Sequence, residues 1–141
     1  MESTWFIVAD RSQAHLYEVS GTRLRPTLTP IETLESQTAR PDRRASLSSS
    51  SGRRDLLSEG RGAQEQDQKF VRQVVERLTQ AQHRKQFGRL VIAAPADFVG
   101  RLRDAARGSL QKVVVREIIG DYTNDTVHAL QERVRRHEWL H

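Results

Sequence analysis

A chain of 141 residues suffices for one domain with a real core, since about 150 residues bury close to 70% of their unfolded surface. Hydrophobic residues make up 36% and charged residues 29%, the net charge is +5, and no cysteine is present, which excludes disulfides, thiolate zinc sites and a cysteine nucleophile. A pI near 10.4 with a mean hydropathy of −0.67 favours polyanionic partners, nucleic acid or an acidic membrane surface.

The first apolar run, Trp5 to Ala9, has Glu2 before it and Asp10-Arg11 after it. It is too short and too acidic for a leader, and nothing approaches the roughly 20 apolar residues of a membrane span. The expected location is the cytoplasm, with no membrane partner.

Trp5 to Asp10 is aromatic and β-branched, and Ala14 to Val19 resumes apolar character after the polar turn Arg11-Ser12-Gln13, which together predict a hairpin. Arg23 to about Leu34 reads as a third strand in which Pro26 and Pro30 remove backbone donors, so it belongs at an edge or is broken. From Ser36 to Gly62 the apolar periodicity disappears, and the run is expected to be a long mobile loop. Six arginines there (Arg40, Arg43, Arg44, Arg53, Arg54 and Arg61) face three carboxylates (Asp42, Asp55 and Glu59).

The turn Gly60-Arg61-Gly62-Ala63-Gln64 then leads into a helix expected from about Glu65 to Gln86, with Phe70, Val71, Val74, Val75, Leu78 and Ala81 on one face. A helix N-terminus behind a basic turn presents unpaired N–H groups and a positive dipole end, which suits a phosphate. Arg72 lies on the outer face of that helix. Arg89 to Ala94 predicts a strand buried on both faces, ended by Pro95. A second helix follows from about Asp97, closed by Gly108, and Lys112 to Ile119 predicts a further buried strand. The turn Gly120 to Asn124 offers caps for a last helix carrying Val127, Leu130 and Val134 inward. The expected fold is α/β: a mixed β-sheet, built as a β-β-β meander and then α-β-α-β-α, flanked by helices in a single domain spanning 1–141.

Two sets of residues compete as a site. The cationic set is Arg40, Arg43, Arg44, Arg53, Arg54, Arg61, Gly62, Gln64 and Arg72, suited to the phosphates of a nucleic acid. The acidic set is Asp10, Asp97 and Asp121, each following a predicted strand, where ligands of open α/β sheets bind. Were the Asp10 strand parallel to and central between the two later strands, the three carboxylates could converge on Mg²⁺, as in nucleases of the ribonuclease H type. As helix caps, Asp97 and Asp121 need no metal. The histidines show no metal-ligand spacing, and Gly60 and Gly62 lack the third glycine and preceding strand of a dinucleotide fingerprint.

Trp5-Phe6-Ile7-Val8-Ala9-Asp10, the polar run after it, Ala94-Pro95-Ala96-Asp97-Phe98-Val99-Gly100-Arg101-Leu102-Arg103 and Asp121-Tyr122-Thr123 resemble the bacterial host attachment family. From about residue 60 to 135 the chain is also similar to the middle domain of eukaryotic and archaeal peptide chain release factors. Gly62-Ala63-Gln64, the Phe70 helix, Leu90-Val91-Ile92 and Ala96-Asp97-Phe98 would correspond to that domain's Gly-Gly-Gln tripeptide, basic helix, strand and Ala-Asp-Phe segment. Ala63 stands where the middle glycine would be. This resemblance implies the release-factor middle-domain fold and an affinity for ribosomal or transfer RNA.

The resulting expectation is a non-catalytic domain that interacts with RNA or the ribosome, without cofactor or metal. Three alternatives stay open. Gln64 would act in peptidyl-tRNA hydrolysis; Asp10, Asp97 and Asp121 would act in Mg²⁺-dependent phosphodiester cleavage; and the basic loop would fold on an acidic protein partner, affecting host attachment indirectly.

Overall fold

The computed structural model describes residues 3–36, 52–106 and 108–139. Five strands, β1 (Thr4–Ala9), β2 (Gln13–Gly21), β3 (Pro26–Glu35), β4 (Arg89–Ala94) and β5 (Val114–Ile119), form one sheet in the spatial order β3-β2-β1-β4-β5. The first three pair antiparallel, whereas β4 runs parallel to β1 and β5 parallel to β4. Four helices accompany them: α1 (Gly52–His83), α2 (Ala96–Ala105), α3 (Ser109–Val113) and α4 (Val127–His137). This is the mixed sheet flanked by helices that the sequence pattern predicts, with α3 added.

β1 occupies the middle of the sheet because its side chains are apolar on both faces. Trp5, Ile7 and Ala9 point to one side and Phe6 and Val8 to the other, as strand alternation requires, and all five are buried. The first side carries the larger core, where Phe70, Val74 and Leu78 of α1, Phe98 and Leu102 of α2 and Leu110 of α3 meet Leu90 and Ile92 of β4. On the second side Leu130 and Val134 of α4, together with Trp139, cover Phe6, Tyr17 and Val91. Phe70 lies 6.0 Å from Phe98 between ring centroids, and Trp5 stacks on Phe87 at 4.8 Å. Such aromatic pairs add about 0.5–1.5 kcal/mol to what area burial supplies.

β3 lies at the sheet edge, as its prolines require. Pro30 sits opposite Tyr17, and Glu32 opposite Leu16, so Ile31 is an extra residue in a bulge.

Four expectations are corrected. Helix α1 begins at Gly52 rather than near Glu65, so 52–62 belongs to a helix and not to a loop. Arg53-Arg54-Asp55-Leu56-Leu57 consists largely of favourable helix formers, and glycines at 60 and 62 cost only about 1 kcal/mol each against alanine. At the other end of the expected loop, Ser36 is buried and donates its N–H to the Ser12 carbonyl at 2.9 Å, while 37–51 lie outside the described residues.

The strand expected from Lys112 starts at Val114, because 109–113 close a short helix first. It is also an edge strand rather than a buried one: Val115 is 47% and Ile119 55% exposed, since no strand lies beyond β5 in the sheet. Finally, β1 does not lie between β4 and β5; β4 lies between β1 and β5.

Candidate functional site

The carboxyl ends of the parallel strands β1, β4 and β5 point toward one edge of the sheet, the usual place for a ligand in an open α/β fold. Asp10, Asp97 and Asp121 stand in the connections there. Asp10 is fully occupied by protein donors. Its Oδ1 accepts from the Ser12 N–H at 2.7 Å, the Ser12 hydroxyl at 2.8 Å and the Gln13 N–H at 2.9 Å, which shapes the β1–β2 turn.

Its Oδ2 accepts from the hydroxyl of Thr123 at 2.9 Å, tying that turn to the connection between β5 and α4. Thr123 is buried, and its hydroxyl also lies 3.0 Å from Asp121 Oδ1. Burial pushes the Asp10 carboxyl upward, but the hydrogen bonds from Ser12, Thr123 and Gln13 outweigh it and hold the group below its ordinary range.

Asp97 engages a different partner. The Arg11 guanidinium donates to its Oδ2 through Nε at 3.0 Å and through a second nitrogen, and Asp97 Oδ1 accepts the Phe98 N–H at 2.9 Å. The hydrogen bond from Arg11 draws the Asp97 carboxyl below its usual range against a smaller opposing effect of burial. Arg11 also approaches Asp67 of α1 at 3.8 Å, and Arg101 of α2 reaches the same carboxylate at 3.5 Å. Asp10 and Asp121 are therefore brought together through Thr123, whereas Asp97 joins a network of two arginines and two aspartates. Among the described residues no group of three or more histidines, cysteines or acids is arranged to hold a metal ion.

Neither helix uses the caps expected of it. Pro95 precedes α2 without a side-chain cap, and Asp97 acts in its first turn, where a negative charge suits the helix dipole. Thr126, not the 120–124 turn, caps α4 by accepting the Ala129 N–H at 3.1 Å. The reason is register: the helix starts at Val127, out of reach of Asp121.

Of the cationic set, Arg40, Arg43 and Arg44 lie outside the described residues. Arg53, Arg54, Arg61, Gly62 and Gln64 lie along the first part of α1, so the 60–64 turn is not a helix N-terminus, and Gln64 sits within a helix rather than at a loop tip. Arg72 is exposed farther along the same helix. It borders a groove of about 270 Å³ between α1 and α2, together with Gln68, Val71, Arg101, Asp104 and Ala105.

Elsewhere in the described body several arginines pair with acids. Arg23 pairs with Glu138, Arg77 with Glu32, Arg103 with Glu117, Arg133 with Asp125 and Arg135 with Glu132. Residues Arg11, Asp67, Arg101 and Thr123 escape the sequence reading. Local signals exist for two of them: Arg101 follows Asp97 by four positions, the spacing of a helical ion pair, and Arg11 directly follows the strand-end Asp10.

Fold and site define a small mixed-sheet α/β domain with a hydrogen-bonded strand-end edge and an arginine-rich long helix. The chain belongs to the family described as protein required for attachment to host cells, whose profile matches residues 5–134. Among solved structures it is similar to an archaeal translation termination factor, aRF1, at 16% identity and a TM-score of 0.48, covering 96% of this chain and 39% of that one. An archaeal protein is similar at 12% identity and a TM-score of 0.46, with 96% and 38% of the two chains covered. The chain thus spans about two fifths of the length of these structures. No curated protein matches it. Among the described residues no helix is long and apolar enough to cross a membrane.

Proposed function

We propose that this domain is a non-catalytic RNA-binding module, acting in the cytoplasm on ribosomal or transfer RNA. The observation that carries the reading is the distribution of charge. Six arginines against three acids give 37–62 a surplus of three, more than half of the chain's net +5. Elsewhere in the described body, by contrast, seven arginines pair with neighbouring carboxylates. Exposed ion pairs of that kind contribute about 0–1 kcal/mol each, but they cancel the local field. That formal surplus falls on the run that leads into and along α1, with Arg72 farther along the same helix. Arginine suits this task because its planar fork donates to two phosphate oxygens at once.

The reading assigns no chemical step to Asp10, Asp97 or Asp121, whose oxygens already accept from protein donors. Gln64, inside α1, likewise has no step assigned.

Filter binding of unfractionated tRNA across a salt series tests the proposal. Each phosphate contact contributes about −0.7 to −0.9 to the slope of log affinity against log salt, so three lost arginines should flatten it by about 2. The expected result is micromolar binding at low salt that weakens steeply and is reduced in the Arg53→Ala, Arg54→Ala, Arg61→Ala triple variant. Absent or salt-independent binding would remove the proposal.

A further inference from the structure

We infer that the groove between α1 and α2 seats backbone phosphates of the bound nucleic acid, with Arg72 on one wall and Arg101 on the other. This rests on the RNA-binding reading above and locates its contact surface. Three observations support it. First, Gln68 and Arg72 are four residues apart on α1, so they share one face of that helix.

Second, that face borders a real concavity. Gln68 and Arg72 border the groove, which is about 270 Å³ in volume with Val71 and Ala105 as apolar lining. A guanidinium facing a second one across a cleft can grip an anion from both sides, and Gln68 adds an amide donor.

Third, the carboxylate that faces Arg101 is already shared. Asp67 is only 16% exposed at its side chain and lies between Arg11 and Arg101. Asp104 also lines the groove, so the two guanidiniums there outnumber one carboxylate. Arg72 has no ion pair among the described residues. A phosphate would compete with Asp67 for Arg101, whose 3.5 Å pairing is loose enough to be shared. The ligand class is a phosphodiester backbone. RNA and single-stranded DNA share that chemistry.

The experiment measures salt slopes for unfractionated tRNA and for a single-stranded DNA of similar length with wild type and four variants. Arg72→Gln, and Arg72→Gln with Arg101→Gln, should each weaken binding at low salt, about tenfold for the pair, and lower the slope by about 0.7–0.9 per arginine. Arg101→Lys keeps the charge and should retain most of the affinity. Arg136→Gln, an exposed cation on α4 outside the groove, should leave the slope unchanged. Melting temperatures of all variants check the fold, and Arg72→Gln, which breaks no ion pair, keeps the test valid should Arg101→Gln unfold.

If wild type binds steeply but the groove variants match it, the inference fails and the RNA-binding reading stands. If Arg136→Gln costs as much as Arg72→Gln, binding is diffuse and the groove is not a seat. If wild type binds neither probe, both fall together. Equal weakening with both probes supports recognition of the backbone, whereas retention of binding only with DNA overturns the assignment to RNA.

Discussion

Replacing Asp10 should show how much of the strand-end edge depends on one carboxylate. In Asp10→Ala the N–H groups of Ser12 and Gln13 and the hydroxyl of Ser12 lose their acceptor together, and Thr123 keeps only Asp121. A partly buried donor left without a partner costs about 1–3 kcal/mol; because water can reach part of this turn, about 3 kcal/mol in total is the expected loss. Asp10→Asn keeps a carbonyl oxygen for the turn and places an amide donor against Thr123 Oγ1, which can still donate to Asp121. Only the charge assistance disappears, about 1 kcal/mol. With a urea dependence of about 2 kcal/mol per molar, the midpoints should fall by about 1.5 M and 0.5 M respectively.

The pH dependence has a definite sign. The folded carboxyl is held below its unfolded value, so its contribution is complete above the unfolded value near 3.8 and is lost as pH falls through the lower folded value. The gap between wild type and Asp10→Asn should therefore close as pH drops below about 4. Urea unfolding followed by far-ultraviolet circular dichroism at pH 7 and pH 3 measures both quantities. An Asp10→Ala midpoint within about 0.3 M of wild type at pH 7 would refute the argument, as would equal losses for the alanine and asparagine variants.

Two other outcomes follow from the same packing and site geometry. Phe70→Ala removes a ring 2% exposed and packed on Phe98, at a cost of about 3–5 kcal/mol, and thermal melts should show a fall of 10 °C or more; a fall under about 5 °C would mean that α1 contributes less core than its burial indicates. Millimolar Mg²⁺ should leave the melting temperature unchanged, because Arg11 already serves as the cation beside Asp97 and Asp10 has its acceptors filled; a rise of several degrees that disappears in Asp10→Asn would place a metal at the strand ends.

The parts of the fold legible in the sequence were those where periodicity and composition agree. Trp5 to Ala9 and Ala14 to Val19 read as a hairpin from their apolar runs and the polar turn between them, and the prolines at 26 and 30 place β3 at an edge. Where one signal contradicted another, the reading failed. Gly60 and Gly62 look like a helix stop, yet 32 residues of propagation outweigh two local penalties once the distal half packs Phe70, Val74 and Leu78. Val113-Val114-Val115 looks like a strand throughout, yet its first residue closes α3. A run such as Val114 to Ile119 also cannot report whether another strand will lie beyond it, so its two exposed apolar residues were read as buried.

The strand-end acids were found by position, but their partners were not. Thr123 and Asp10 are separated by 113 residues, and no local pattern announces a hydrogen bond over that distance. Arg101 was hidden for a different reason, since on the sequence it is one of many arginines and becomes distinctive only when α2 is laid against α1.

The length of α1 links the stability of the domain to its proposed use. At about 48 Å for 32 residues, it is longer than any strand of the sheet, the longest of which, with ten residues, spans about 33 Å. Its core positions include Phe70, Val71, Val74, Leu78 and Ala81, and Asp67 marks the point where Arg11 and Arg101 grip it. Packing therefore fixes the second half of the helix, the half that carries Arg72. An anion that takes Arg101 from Asp67 would act at the anchor itself, so ligand binding and the hold on α1 would draw on the same guanidinium. In that case Asp67→Asn should raise nucleic-acid affinity while lowering the melting temperature slightly. Opposite signs in those two measurements would separate a shared arginine from one whose only role is structural.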